Sequence, residues 1–236
     1  MLDDLRLEDV LFLDIETVPG VSDFDELSDQ MKKLWTKKAE QIGRNEPDKT
    51  PAELYKRAGI YAEFGKIVCI SCGFISGNGF RVRSFYDDDE SALLNDFAAL
   101  LNRSYASQRQ LLCGHNSKEF DIPYIARRML INNIRLPSII NVAGKKPWEV
   151  QHLDTLDLWK FGDYKHYTSL ELLATIFDIP TPKDDIDGSD VGEVYWKDGD
   201  LKRIAAYCEK DVLTTAQLLR RYLGLTLIKP EFVVSV

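Results

Sequence analysis

The chain has 236 residues, 44% hydrophobic and 29% charged, with a formal net charge of −8. That length carries a full hydrophobic core within one domain, and the acidic balance excludes a protein that coats nucleic acid through a general surplus of Lys and Arg. No run approaches about eighteen apolar residues, and the opening MLDDLRLED is acidic where a secretion or transit signal is basic, so a cytoplasmic protein with no membrane anchor is expected.

In chain order, residues 10–15 (VLFLDI) read as a buried strand ending at the turn signal TVPG. Residues 21–62 are rich in charge and hold two helical patches, DELSDQMKKLWTKKAEQIG and TPAELYKRAG, the second opening with Thr50 as N-cap and Pro51 at the first helical position. This segment reads as an insertion on the surface of a single domain spanning 1–236. Its cations (Lys32, Lys33, Lys37, Lys38, Arg44, Lys56, Arg57) fit a solvated helix face better than a substrate channel. KIVCISCGFI and FRVRSFY, separated by SGNG, form a hairpin. An amphipathic helix follows in DDDESALLNDFAALLNRSY, then a short buried strand in QLLCGHN and a helix in FDIPYIARRMLINN. Beyond a Pro- and Gly-bearing loop come VQHLDTLDLW, a helix in TSLELLATIF capped by Thr168 or Ser169, a loop at 180–190, a long helix in DGDLKRIAAYCEKDVLTTAQLLRRYL, and a short tail. Early strands in a meander, followed by alternation with helices, indicate an α/β fold with a mixed sheet covered by helices on both faces.

Four cysteines (Cys69, Cys72, Cys113, Cys208) do not make a disulfide scaffold. Cys69 and Cys72 have C-x-x-C spacing, but on a strand positions i and i+3 face opposite ways and cannot share one tetrahedral metal, so both read as core.

Asp14 and Glu16 are two residues apart on a strand, so their side chains leave the same face and reach one point. Tyr207 and Asp211, four apart on the last helix, also share a face, and Asp121 opens a helix whose N-terminal dipole tolerates a carboxylate. Singly, Asp121 reads as a helix-start residue and Asp211 as an exposed acid. If the carboxylates converge, each close pair repels by about 4 kcal/mol at an effective dielectric near 20, and such a cluster persists only around cations. Oxygen ligands without Cys or His select Mg²⁺ or Mn²⁺.

The order FLDIET, NSKEFD and Y-x3-D resembles the three motifs of the DEDD superfamily of 3′-5′ exonucleases, in its tyrosine branch, with the closest likeness to a predicted exonuclease group related to the proofreading domain of family B DNA polymerases. The resemblance implies an RNase H-like fold and a two-ion phosphodiesterase that releases nucleoside 5′-monophosphates from the 3′ end of a single strand, DNA favoured over RNA. It implies that Asp14, Glu16 and Asp211 hold the ion that activates water, that Asp14 and Asp121 hold the ion at the leaving 3′-oxygen, and that Tyr207 orients the water. Asn116, Phe120 and Thr17 stand as substrate-binding candidates; Asn116 reads equally as a turn former after Gly114, and Phe120 rather as core. His115 and His166 read as structural or surface residues, and Asp154 and Asp157 as acids lining the site without being ligands. Tyr164, Lys165, His166 and Tyr167 mix base-stacking and phosphate-binding types and mark a single-strand groove. The rival readings are an exoribonuclease on the same site, a binding module that has lost activity, and a structural Ca²⁺ site that leaves Tyr207 without a purpose. A polymerase or repair partner is not readable from the residues.

Overall fold

The frame is set by the strand β1 (Val10–Pro19), whose alternating side chains are apolar on both faces apart from Asp14, Glu16 and Thr17. Leu11, Leu13 and Ile15 point into one cluster and Val10, Phe12 and Val18 to the other side. The computed structural model describes residues 4–107, 109–163, 167–180 and 186–236. β1 runs four residues beyond the expected 10–15, because Thr17, Val18 and Pro19 go on pairing with Ile67, Lys66 and Gly65 instead of turning.

Between β1 and the first hairpin lie α1 (Asp29–Ile42) and α2 (Pro51–Leu54), the latter continuing as a 3-10 turn. Thr50 and Glu53 form a reciprocal capping box ahead of Pro51. This charged segment has an interior of its own. Trp35, Ala39, Leu54, Tyr55 and Ala58 are buried together, and the Trp35 indole donates to the Pro51 carbonyl at 2.7 Å. Several of its cations are engaged locally: Arg57 grips Glu46 with both guanidinium ends, Lys32 lies 3.9 Å from Asp25, and Lys38 sits over the Tyr61 ring.

β2 (Gly65–Ser76) and β3 (Gly79–Tyr86) form the expected hairpin. They are followed by α3 (Glu90–Ser104), β4 (Leu111–Gly114), α4 (Asp121–Ile131), β5 (Leu153–Asp154), α5 (Thr155–Lys160), α6 (Leu170–Ile176), α7 (Val191–Glu193), α8 (Leu201–Tyr222) and β6 (Val233–Ser235). Ser169, not Thr168, caps α6. The tail is not a loose end: β6 pairs in parallel with β3. The strands form one sheet in the order β5-β4-β1-β2-β3-β6, with β1 antiparallel to β2 and parallel to β4.

Helices cover both faces. α3 and α4 bury Leu93, Leu94, Phe97, Leu101, Ile122, Tyr124, Ile125 and Met129 against one face, and α8 lays Val212, Ala216, Leu219, Ile204, Ala205 and Cys208 on the other. Opposite Glu16 and Thr17 the register slips by one residue, and this bulge turns both Val68 and Cys69 toward α8 while Ile67 and Ile70 face α3 and α4. Cys69 and Cys72 accordingly lie on opposite faces, and all four cysteines are free and buried. This six-stranded mixed sheet with helices on both sides is the α/β arrangement of an RNase H-like exonuclease domain. Among the described residues, no helix is long and apolar enough to cross a membrane.

Candidate active site

Asp14 and Glu16 leave β1 on the α8 face, between the apolar Phe12 and Val18. Their carboxylate oxygens and the Cys208 sulfur all lie within 4.8 Å of one another. The Cys208 thiol donates to both the side-chain Oδ2 and the main-chain carbonyl of Asp14, each at 3.4 Å. Burial pushes that thiol well above its usual range, so it serves as a protonated donor holding Asp14 and not as a thiolate ligand.

Asp121 arrives from elsewhere in the chain. Gly114 closes β4, and a Cβ there would collide with the Ser117 side chain, so the chain folds back tightly before α4 begins. Asn116 sits in this turn with φ of 64°, and its carbonyl accepts from the N–H groups of Glu119 and Phe120. The turn delivers Asp121 to the first position of α4, where Oδ1 accepts the Ile15 N–H at 3.2 Å. Tyr207 and Asp211 come from α8, one turn apart, with the Tyr207 hydroxyl donating to the Asp211 carboxylate.

The electrostatics of these groups are linked. Burial first, and then the charges of Asp121 and Asp211, raise Asp14 well above the usual carboxylate range. Glu16 is raised likewise by burial and then by Asp14, with Asp211 and Asp121 adding to it. Asp121 is pushed up to about 7, chiefly by burial. The Tyr207 phenol is raised by burial and by Asp211, Glu16 and Asp14, so it stays protonated at neutral pH and remains a donor.

The other candidates occupy distinct surroundings. Phe120 is partly exposed and packs on the core with its ring 5.4 Å from Tyr124. Thr17 points away from the acids, and its hydroxyl reaches Tyr124. Asp154 proves to be a scaffold that the sequence does not reveal. Its Oδ1 accepts from Asn116 N at 2.9 Å, from Leu156 N at 2.9 Å and from Asp157 N at 3.4 Å, and its Oδ2 accepts from Lys118 N at 3.0 Å. It caps α5 and holds the turn before Asp121 at once; the helix-cap half of that role was readable, the long-range half was not. Asp157 is spent on Lys118 and Lys160. His115 is partly buried and hydrogen-bonded on both nitrogens. Tyr164, Lys165 and His166 lie outside the described residues; Tyr167 is exposed beside His115.

An RNase H-like sheet with buried acids gathered where β1 meets α4 and α8 defines a nuclease-type α/β protein. The family of predicted 3′-5′ exonucleases related to the exonuclease domain of PolB matches residues 60–232, and the chain belongs to it. The matched span contains Asp121, Tyr207 and Asp211, and the sheet adds Asp14 and Glu16 from β1, which precedes it. No curated protein matches the chain.

Proposed function

We propose that this protein is a divalent-metal-dependent 3′-5′ exonuclease acting on single-stranded nucleic acid, DNA in preference to RNA. The observation that carries the reading is the pairing of Asp14 and Glu16, whose carboxylate oxygens lie within 4.8 Å of each other, with Asp121 and Asp211 close enough to raise the pKa of both and a tyrosine hydroxyl bonded to Asp211. Ionised together, the buried Glu16 and Asp121 and the half-buried Asp14 and Asp211 oppose folding unless cations balance them. The donor set fits hard ions, because all four candidate ligands offer carboxylate oxygen and the sulfur grouped with Asp14 and Glu16, that of Cys208, is a bound thiol. The preference for DNA is supported by kinship with a DNA polymerase's exonuclease domain.

In this mechanism Asp14, Glu16 and Asp211 would hold one Mg²⁺ or Mn²⁺, and Asp14 and Asp121 would hold a second. When bound, such ions would lower the pKa of a water so that it attacks phosphorus as hydroxide, and would offset the charge on the leaving 3′-oxygen. The chain's own residues set the geometry. Cys208 fixes one Asp14 oxygen, and the Ile15 N–H fixes one Asp121 oxygen, so neither carboxylate swings freely. Tyr207 donates its one hydroxyl proton to Asp211, and its oxygen accepts a hydrogen bond from the attacking water and so aligns it. Asn116 and Phe120, in the turn ahead of Asp121, line the approach of the terminal nucleotide.

The reading is tested with matched single strands of DNA and RNA, labelled at the 5′ end in one set and in the 3′-terminal nucleotide in the other. With Mg²⁺ or Mn²⁺, the first set should give a ladder shortening from the 3′ end, faster on DNA, and the second should release labelled nucleoside 5′-monophosphate as first product. Internal fragments, or nucleoside 3′-phosphates, would contradict it.

A further inference from the structure

Cations that balance the acids act at the scissile phosphate and do not touch the bases, so grip on the last nucleotides is left to contacts that do not depend on charge. Base–aromatic stacking is such a contact. Tyr167 presents an aromatic ring placed to make it. Tyr167 is 66% exposed, and its ring centroid lies 6.3 Å from that of His115 in an edge-on contact. His115 directly follows β4 and directly precedes Asn116, in the turn that delivers Asp121.

The ring's placement is built. His115 Nε2 lies 2.9 Å from the Thr168 carbonyl oxygen, and Nδ1 lies 2.9 Å from Thr155 Oγ1 at the start of α5. Neutral and protonated on Nε2, the imidazole donates to the Thr168 carbonyl, while Nδ1 and the Gly114 carbonyl, at 2.9 and 3.3 Å, share the Thr155 hydroxyl. Burial lowers the His115 pKa and favours that neutral form. The backbone beside Tyr167 is thus pinned to β4 and α5 while the ring stays open to solvent. Partial burial of its hydroxyl end, and then the charges of Asp121, Asp154, Asp14 and Asp211, raise the Tyr167 phenol, so the largely exposed ring lies within the field of the proposed catalytic acids.

We infer that Tyr167, held by His115, is the stacking platform for a nucleobase in the last two nucleotides of the substrate strand. This rests on the exonuclease reading and adds a base contact to it. Stacking takes any base, so the platform gives grip without sequence preference. It acts on the substrate's base and leaves the phosphoryl chemistry to the carboxylates.

The test compares wild type with Tyr167→Ala and Tyr167→Phe on single-stranded DNA carrying either ordinary nucleotides throughout or one abasic residue, placed last or next to last. For wild type, one abasic position should raise KM about 10-fold or more with kcat little changed. Tyr167→Ala should show that same raised KM on the ordinary strand and no further rise on the abasic one. Tyr167→Phe, which keeps the ring, should behave as wild type. The position at which wild type is sensitive identifies the stacked base. If Tyr167→Ala keeps the wild-type KM, or still discriminates the abasic strand as wild type does, the inference is overturned while the exonuclease stands. If wild type shortens no strand with Mg²⁺ or Mn²⁺, the exonuclease reading fails and this inference falls with it.

Discussion

The backbone N–H of Ile15 donates to Asp121 Oδ1 at 3.2 Å, joining the start of α4 to the residue between Asp14 and Glu16 across 106 positions of sequence. This buried bond fixes where the third acid stands relative to the first two. It also separates charge from geometry. Asp121→Asn retains an acceptor oxygen and loses the charge, whereas Asp121→Ala loses both and leaves a buried N–H unpaired, at a cost of about 1–3 kcal/mol. Asp121→Asn should fold with a Tm at or above that of metal-free wild type and lack exonuclease activity. Asp121→Ala should be inactive and melt below Asp121→Asn. Thermal melts in EDTA check the order.

The same acids set a pH dependence. A carboxylate whose folded pKa is raised binds more protons folded than unfolded between the two values, so stability falls as pH rises through that window. For Asp121 the window runs from the ordinary carboxylate value of about 4 up to about 7, and Asp14 and Glu16 act in the same direction. Metal-free protein should therefore melt lower at pH 8 than at pH 5.5. Added Mg²⁺ or Mn²⁺ should raise Tm more at pH 8, where all the acids are ionised and able to bind it. Scanning calorimetry at both pH values, with and without the ion, measures the difference.

Tyr207 offers a cleaner test of chemistry than of folding. Its hydroxyl serves Asp211 and, in the proposed mechanism, the attacking water, while its ring packs with the cluster under α8. Tyr207→Phe keeps the ring. It should retain the metal-induced rise in Tm and lose about 10²-fold in kcat, the scale of one positioning hydrogen bond at a reacting group. Single-turnover rates alongside melts with metal separate the two effects.

Asp154 should behave as a structural residue that controls the site from outside it. It accepts four main-chain N–H groups from two separate segments, and its carboxylate is 3% exposed. Asp154→Ala should cost about 3 kcal/mol, since several buried donors lose a charged acceptor. Activity should fall because the turn from Asn116 to Asp121 loosens. Asp154→Asn, which keeps one oxygen, should recover much of the stability. Urea unfolding of the three proteins is the check.

What the sequence made legible followed from strong periodicity. Asp14 and Glu16 share a face because a strand repeats every two residues, and the placement of Cys69 and Cys72 on opposite faces follows from the same period. Tyr207 and Asp211 lie one helical turn apart for the corresponding helical reason. What stayed hidden depended on distant partners. Thr17–Pro19 look like a turn until β2 is present to pair with them across a bulge, and the Val233–Ser235 segment becomes a strand only beside the free edge of β3. Asp154 announces a helix cap, but nothing local shows that it also grips Asn116 and Lys118 nearly forty residues away. The small core around Trp35 is similar: its charged neighbours dominate the sequence, and the burial comes from Leu54, Tyr55 and Ala58 closing over the ring.

The central claim is that Asp14 and Glu16 tolerate a buried strand because metal ions balance them. Its most direct test is the shortening of 5′-labelled single-stranded DNA by wild type and by the Asp14→Ala, Glu16→Ala double variant, each with Mg²⁺, Mn²⁺ or EDTA. The account predicts a ladder receding from the 3′ end for wild type with either ion, none in EDTA, and none for the double variant, whose metal-free Tm equals or exceeds that of wild type. A double variant that shortens the strand as wild type does, or a wild type indifferent to EDTA, would contradict it.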